Sequence, residues 1–447
     1  MKKFFEGIAN VWKIEELKNR ILWTMGLLVI YRFGAHVTLP GIDAAQLAGL
    51  EGQTKEGIGS ILDMFTGGSF SKASVFALGI MPYISASIVV QLMGIAIPYL
   101  QKLQKEGESG RKKINQITRW LTIVITLVQG PGYIYNLYRT LPSSAFLLGF
   151  DSFSFLFSSV IILVTGTIFA MWLGEKITDK GIGNGISLLI MVGILARLPE
   201  AFLQEFTTRV TNNNGGPMLL VIEIIVWLLV IIACVLLVMA VRRIQVQYAR
   251  RTVSGEFEQD AAGNRQWIPL KLNASGVMPI IFAQAIMFIP AALAGLSNSE
   301  TSQSIAGTFS DMFGFWYNLV FALLIIVFTY FYTAITVPTN KMADDLKRSG
   351  GFIPGTRPGL ETSDYLDKIM SLITFPGSLF LALIAVFPAI VVNTMNVQQS
   401  WAMFYGGTSL IIMVGVAIDT IQQINSYLLN KHYDGLMKTG KNRKAVA

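Results

Sequence analysis

The chain has 447 residues, of which 53% are hydrophobic and only 14% charged, with a formal net charge of +8. A soluble domain carries roughly 25% charged residues, and its core has no use for repeated uncharged runs of about 20 residues, the length that crosses a bilayer. A soluble globular protein is therefore excluded, and the single Cys234 leaves no disulfide framework or thiolate metal centre.

The first twenty residues mix Lys2, Lys3, Lys13, Glu15, Glu16, Lys18 and Arg20 with apolar positions, and no small-residue cleavage site follows. Residues 1–20 are expected to form an amphipathic helix on the inner leaflet rather than a removed signal. Ten apolar runs then predict ten membrane-spanning helices: Ile21–Thr38, Val75–Ile97, Ile117–Leu137, Phe153–Leu173, Ile182–Leu203, Pro217–Val241, Ala274–Gly295, Phe315–Val337, Ile369–Val392 and Ala402–Ile424. With the amino terminus inside, 29 of the 35 lysines and arginines fall in inner segments and five in outer loops, among them Lys72, Arg197 and Arg209. That asymmetry puts both termini in the cytoplasm. The polar stretch 211–216 divides the runs into five (21–210) and five (217–426), and an odd number per half gives the halves opposite topology, as in inverted repeats. The remainder, 427–447, is a cytoplasmic tail.

Between the first two runs, Ser60–Lys72 is a short amphipathic piece broken by Gly67 and Gly68, with Ile61, Leu62, Met64 and Phe65 as its apolar side chains. It reads either as an ordinary surface helix or as a re-entrant plug, which membrane depth permits only where protein or water surrounds it. The second run opens on Gly79-Ile80-Met81-Pro82 and goes on to Gln91. A proline inside a membrane helix frees a carbonyl, so this helix is expected to face protein or a wet cavity. Ile80 and Ile84 stand four apart on one face, as do Ile186 and Ile190.

Gln129 before Gly130-Pro131-Gly132 predicts a second interrupted helix with a buried amide. The glycines of 174–185 join two spans; with no preceding strand and no lysine in Walker spacing they are not a nucleotide loop. In the second half, alternation within Val241–Lys271 points to a hairpin carrying Arg242, Arg243, Arg250 and Arg251. The loop 338–368 is rich in Gly and Pro around Arg357, and both basic loops serve either to fix topology or to dock a partner. The seventh run echoes the second in Gly276-Val277-Met278-Pro279, followed by Gln284.

Chemistry is scarce. His36 and His432 are the two histidines, and the charges within runs, Arg32, Glu223 and Asp419 among them, lie toward run ends. No nucleophile–base pair or carboxylate dyad forms, so no enzyme, cofactor or metal site is expected. An inverted-repeat secondary transporter is the alternative reading, disfavoured because such proteins keep ionisable groups at mid-membrane.

Phe76–Ser87, Gly181–Ser187, Phe352–Gly359 and Gly406–Ser409 resemble the SecY family, the channel subunit of the protein-conducting translocon, and the likeness runs from Pro40–Ala45 to Tyr433–Leu436. The resemblance implies an all-α protein of ten helices in two inverted halves around a central pore, hinged at 211–216. It implies a pore ring of Ile80, Ile84, Ile186, Ile190, Ile281 and Ile412, and a plug at about 60–72. It implies a lateral gate with Gln91, Gln129 and Gln284 in polar positions. Loops 242–273 and 338–368, with Arg357, would dock the ribosome and the SecA motor ATPase; SecE and SecG would be the membrane partners. The cargo would be unfolded preprotein with its signal sequence, and the address the bacterial inner membrane, with no sequence-specific nucleic-acid binding.

Overall fold

A computed structural model describes residues 12, 14–47, 63–146, 152–211, 216–248, 265–294 and 311–443. Most of residues 1–20, Ile61 and Leu62 of the expected plug, residues 212–215, Arg250 and Arg251 lie outside them. By its contacts the chain divides into a first unit of residues 1–212, 398–401 and 416–447, and a second of 213–397 and 402–415.

In the first unit the helices are α1 (Glu15–Gly34), α2 (Met81–Ala96), α3 (Pro98–Lys105), α4 (Glu108–Thr140), α5 (Ser152–Lys180) and α6 (Gly185–Thr211). The second holds α7 (Gly216–Met239), β1 (Val241–Tyr248), β2 (Arg265–Lys271), α8 (Met278–Ala294), α9 (Phe315–Thr336), α10 (Thr339–Arg348), β3 (Gly351–Phe352) and α11 (Leu360–Met395). The short α12 (Gln399–Ala402) and the long α13 (Gly407–Arg443) complete the described chain. Each of the ten apolar runs falls on a helix. Among the described residues six helices are by themselves long and apolar enough to cross a membrane, and the α2–α3 pair, bent by 103°, makes a seventh if the two form one span. The bend has a local cause: Ile97, held extended (φ −101°, ψ 115°) by the ring of Pro98, cannot continue the helix.

The prolines behave differently from the sequence expectation. Pro82 sits in the first turn of α2, where a missing N–H leaves no bond unmade, so it starts the helix rather than interrupting it. Pro279 occupies the same place in α8. Ahead of each proline a glycine takes the left-handed region, Gly79 at φ 52° and Gly276 at φ 65°. Pro131, in contrast, lies inside α4, and the helix runs unbroken through it.

Association of helices in lipid relies on close packing more than on apolar burial. Along α4 the covered stripe is Thr118, Thr122, Thr126, Gly130 and Ile134, each threonine hydroxyl returning to the carbonyl four residues back at 2.7–3.0 Å. Gly185 meets α5 so closely that an added Cβ would lie 1.9 Å from the Gly174 carbonyl, which accounts for the glycine-rich turn between them. Residues 398–401 join the first unit through a buried ion pair: Glu205 holds Arg209 at 2.7 Å and accepts the Gln398 N–H at 2.9 Å. Arg197 and Arg209, expected in outer loops, are both within α6, Arg197 inside the apolar run and Arg209 past its end.

The expected hairpin is present, antiparallel in register from Val241–Lys271 to Gln247–Arg265, with β3 added on the other edge of β1. Ile244, Val246 and Leu270 bury one side of it against Leu346 of α10, Ile353, and Leu366 and Met370 of α11.

Two glycine substitutions separate strain from crowding. Gly276→Ala meets nothing within 4 Å and should cost only the left-handed penalty, roughly 1–2 kcal/mol. Gly79→Ala adds a methyl 3.0 Å from Thr66 Cγ2 and should cost more. Thermal unfolding of the purified chain in detergent checks the order.

Candidate functional site

Ile186, Ile190, Gly193 and Arg197 are spaced four, three and four apart, which stacks them on one face of α6. Ile190 is buried and Ile186 half-buried. Ile80 is the N-cap of α2, buried, and its carbonyl accepts the Ile84 N–H at 3.0 Å, so this pair also shares one side of a helix. In the second unit Ile281 is half-buried in the first turn of α8, and Ile412 is buried in α13.

The segment between α1 and α2 is where the surface-helix reading is overturned. Every residue from Asp63 to Ser71 is buried, and only 63–65 are helical; the rest are turns. Two glycines make this burial possible. Gly67 lies against the backbone of Gly193, where an added Cβ would meet Gly193 Cα at 2.7 Å. Gly68 lies flat on the Arg197 guanidinium, its missing Cβ 3.0–3.2 Å from Nε, Cζ and Nη2. An arginine from α1 closes the other side, Arg32 Nη1 donating to the Gly67 carbonyl at 2.6 Å. Arg197 also donates to the Asp63 carboxylate, to Ser71 Oγ at 2.8 Å and to Glu200 at 2.9 Å.

A buried turn must satisfy its own polar backbone. Here every N–H from Gly67 to Ala77 has an acceptor. Three of these acceptors are side chains: Thr66 Oγ1 for Phe70, Asp63 Oδ1 for Ser71 at 2.8 Å, and Ser74 Oγ for Phe76. Tyr133 of α4 packs tilted on Phe70 with ring centroids 4.9 Å apart and donates to its carbonyl at 2.8 Å, while across the Thr38–Ser74 bridge the Leu39 N–H donates to the Ala73 carbonyl and the Val75 N–H to the Val37 carbonyl. Asp63, Arg197, Arg32 and Tyr133 were not singled out as site residues from the sequence; the four-three-four spacing below Ile186 was the available signal for Arg197.

The three glutamines part company. Gln91 is half-buried and donates to Ser87 Oγ at 3.3 Å, and Gln284 is half-buried in α8. Gln129 is exposed, between Val128 and Gly130, because the covered stripe of α4 passes through Thr126 and Gly130 instead. The buried amide expected there is absent.

On the basic loops, Arg242 and Arg243 are exposed on β1. Arg357 is 88% exposed in its side chain, in a turn held by its own backbone: Thr362 Oγ1 donates to the Arg357 carbonyl at 2.8 Å, and the Arg357 N–H reaches Glu361 at 3.3 Å. No group of three or more metal-ligating side chains occurs among the described residues.

Comparison with known proteins gives one answer. The profile of the SecY family matches residues 74–421. The protein translocase subunit SecY of Haemophilus influenzae is 42% identical over 426 residues, covering 95% of this chain and 94% of that one. A solved SecY structure, whose plug domain stabilises the closed state of the translocation channel and maintains a membrane seal, superposes with a TM-score of 0.59 at 18% identity over 92% of both chains. Sec61 in the canine ribosome–channel complex from the endoplasmic reticulum gives 0.56 at 16% identity, again over 92% of each.

The turn around Arg357 presents this side chain without leaning on it. Arg357→Ala should shift unfolding by less than about 0.5 kcal/mol, whereas Thr362→Val, which frees the carbonyl the turn hangs on, should cost about 1 kcal/mol. Denaturation of the two variants side by side checks the contrast.

Proposed function

The chain belongs to the SecY family, and from that premise we propose how its residues work. It is the pore-forming subunit of the Sec translocon, a multi-pass membrane protein that passes unfolded polypeptides across the membrane and releases hydrophobic segments sideways into the bilayer. It performs no chemistry of its own; the secondary-transporter reading gives way to the family. The observation that carries the residue-level reading is the glycine-seated, fully buried segment 63–71 on the α6 face that also bears Ile186 and Ile190.

In this reading 60–72 is the plug and the six isoleucines Ile80, Ile84, Ile186, Ile190, Ile281 and Ile412 form the neck of the resting pore. A ring of branched apolar side chains is poorly wetted, and a dewetted neck stops ions while letting an extended chain through. Gln91, Gln129 and Gln284 line the lateral seam, where an uncharged amide is far cheaper than a charge, which costs about 2.5–3.5 kcal/mol at mid-membrane. The exposed position of Gln129 suits a side chain that meets a signal sequence rather than its own core. Residues 211–216 are the hinge between the halves.

Ribosome and translocon are the partner classes the family brings. Among individual partners, SecE and SecG in the membrane and the SecA motor on the basic loops are the proposed set, with Arg242, Arg243, Arg250, Arg251 and Arg357 as docking cations. Arg357 offers a planar five-donor fork that lysine does not copy. The charge asymmetry of the loops supports an inner-membrane address with both termini in the cytoplasm.

Planar-bilayer recording of the reconstituted channel tests the ring. Ile84→Ser and Ile190→Ser should each add resting conductance, the double variant most, while Ile232→Ser on the exposed side of α7 should add none. A silent double variant would move the seal to the plug alone.

A further inference from the structure

We propose that Asp63 and Arg197 form the latch of the resting channel: an ion pair that holds the segment 63–74 in its seat on α6 and lets go when the channel opens. The inference rests on the reading of this segment as the plug, and adds to it the pair of residues that sets how firmly the plug is held.

The contacts of the segment fall into two kinds. Most of its backbone bonds run within 63–79, such as Gly68 N–H to Asp63 O at 2.8 Å and Ser74 N–H to Ser69 O at 3.1 Å. These travel with the segment wherever it goes. Polar side chains tie it to the rest of the unit: Arg32 to the Gly67 carbonyl, Tyr133 to the Phe70 carbonyl, Lys72 Nζ to His36 Nδ1 at 3.2 Å, and Arg197 to Asp63 and Ser71. The first two are arginine or tyrosine on a neutral carbonyl, and the Lys72 contact is exposed. The last joins two opposite charges that are largely out of water, with side chains 9% exposed at Asp63 and 19% at Arg197.

Such a pair suits a latch because of how its energy is divided. Two charges brought out of water lose hydration that their attraction roughly offsets, so the intact pair holds only modestly. In the departed state both groups regain water, and nothing prevents opening. Removing Arg197 is another matter, since it strands the buried Asp63 carboxylate in the seated state alone, whereas without Asp63 the guanidinium keeps Glu200 at 2.9 Å. The stranded carboxylate is relieved by leaving the seat, so deletion of Arg197 should push the segment out rather than unfold the unit.

The seat is built around the pair. Asp63 binds Arg197 with one carboxylate oxygen and caps the Ser71 N–H with the other, so it ties the two ends of the turn to each other and to α6. Gly68 admits the guanidinium flat against the backbone, and Gly67 brings the turn onto Gly193, one helical turn from Arg197. The two residues are 134 apart in sequence and belong to different elements, so the pair has no part in forming either element.

A thiol reporter tests the latch in the full chain, purified with its translocon partners and reconstituted in vesicles. Cys234 is replaced by Ala, Met64→Cys supplies a thiol in the seat, and Leu163→Cys, at a fully buried position of the same unit, reports on the fold. With a small maleimide, the Met64→Cys parent should label slowly at rest. Arg197→Ala should speed that labelling on the order of tenfold or more, and Asp63→Ala, which leaves Arg197 its Glu200 partner, should speed it by less. The double variant Asp63→Ala/Arg197→Ala, which strands no buried charge, should label more slowly than Arg197→Ala. Single variants no faster than the parent, or a double variant at the product of the two effects, would overturn the latch. Fast labelling of Leu163→Cys in the single variants would also overturn it, making the pair an element of the fold. A preprotein stalled in transit by a folded carboxy-terminal domain separates this from the plug reading. If stalling speeds Met64→Cys labelling and the variants do not, the plug stands and the latch falls; if neither does, both fall.

Discussion

The structure depends on one constraint: a stretch of backbone that is neither helix nor strand is buried inside a bundle of membrane helices. Lipid offers no partner for a bare N–H or carbonyl, and irregular backbone at that depth survives only if protein satisfies it. Between Gly67 and Ala77 the N–H groups meet the demand with the segment's own turns, with three short polar side chains from Asp63, Thr66 and Ser74, and with the Val37 carbonyl. What the helices provide is two donors, Arg32 and Tyr133, for the Gly67 and Phe70 carbonyls, and a surface to lie on. That requirement shapes α6, with a glycine where the two backbones touch and an arginine where the turn needs a counter-charge.

One helical face thereby serves two tasks. Ile186 and Ile190 present branched apolar groups, and one further turn brings Gly193 and Arg197, which seat the segment. If Ile186 and Ile190 seal the pore as proposed, sealing and seating are coupled by geometry, because a rotation of α6 that moves the isoleucines also moves the arginine. Arg32 approaches the same turn from α1 on a neutral carbonyl, so two guanidinium groups bracket Gly67 and Gly68 with a single buried carboxylate between the turn and Arg197. At the exposed edge Glu200 also pairs with Arg197, so two carboxylates face the two guanidinium groups.

Much of the architecture was legible in composition, because a span announces itself by twenty uncharged residues and a hairpin by alternation. All ten runs fall on helices, and β1 pairs with β2 where the pattern changes sign at Val241. What composition does not carry is which side of a helix is covered. Gln129 reads as a buried amide beside a proline, yet the stripe that packs is set by Thr118, Thr122 and Thr126, and Gln129 falls a third of a turn away from it. Pro82 reads as an interruption because an apolar run begins at Val75, whereas the helix begins at Met81 and the run's first residues belong to the turn. Asp63 and Arg197 were out of reach for a simpler reason: each looks like a solvated charge until a partner from the other side of the sequence covers it.

The same reasoning explains a difference between two like helix starts. Gly79-Ile80-Met81-Pro82 and Gly276-Val277-Met278-Pro279 are built alike, a left-handed glycine two residues before the helix and a proline in its first turn. Around Gly276 there is open space, while Gly79 is pressed by the Thr66 methyl. The local backbone code is therefore shared between the two units, but among the described residues a preceding segment is folded onto the helix start of the first. The segment 63–74 at the first of these entrances has a hold within its own unit, since the opposite charges Asp63 and Arg197 both belong to that unit.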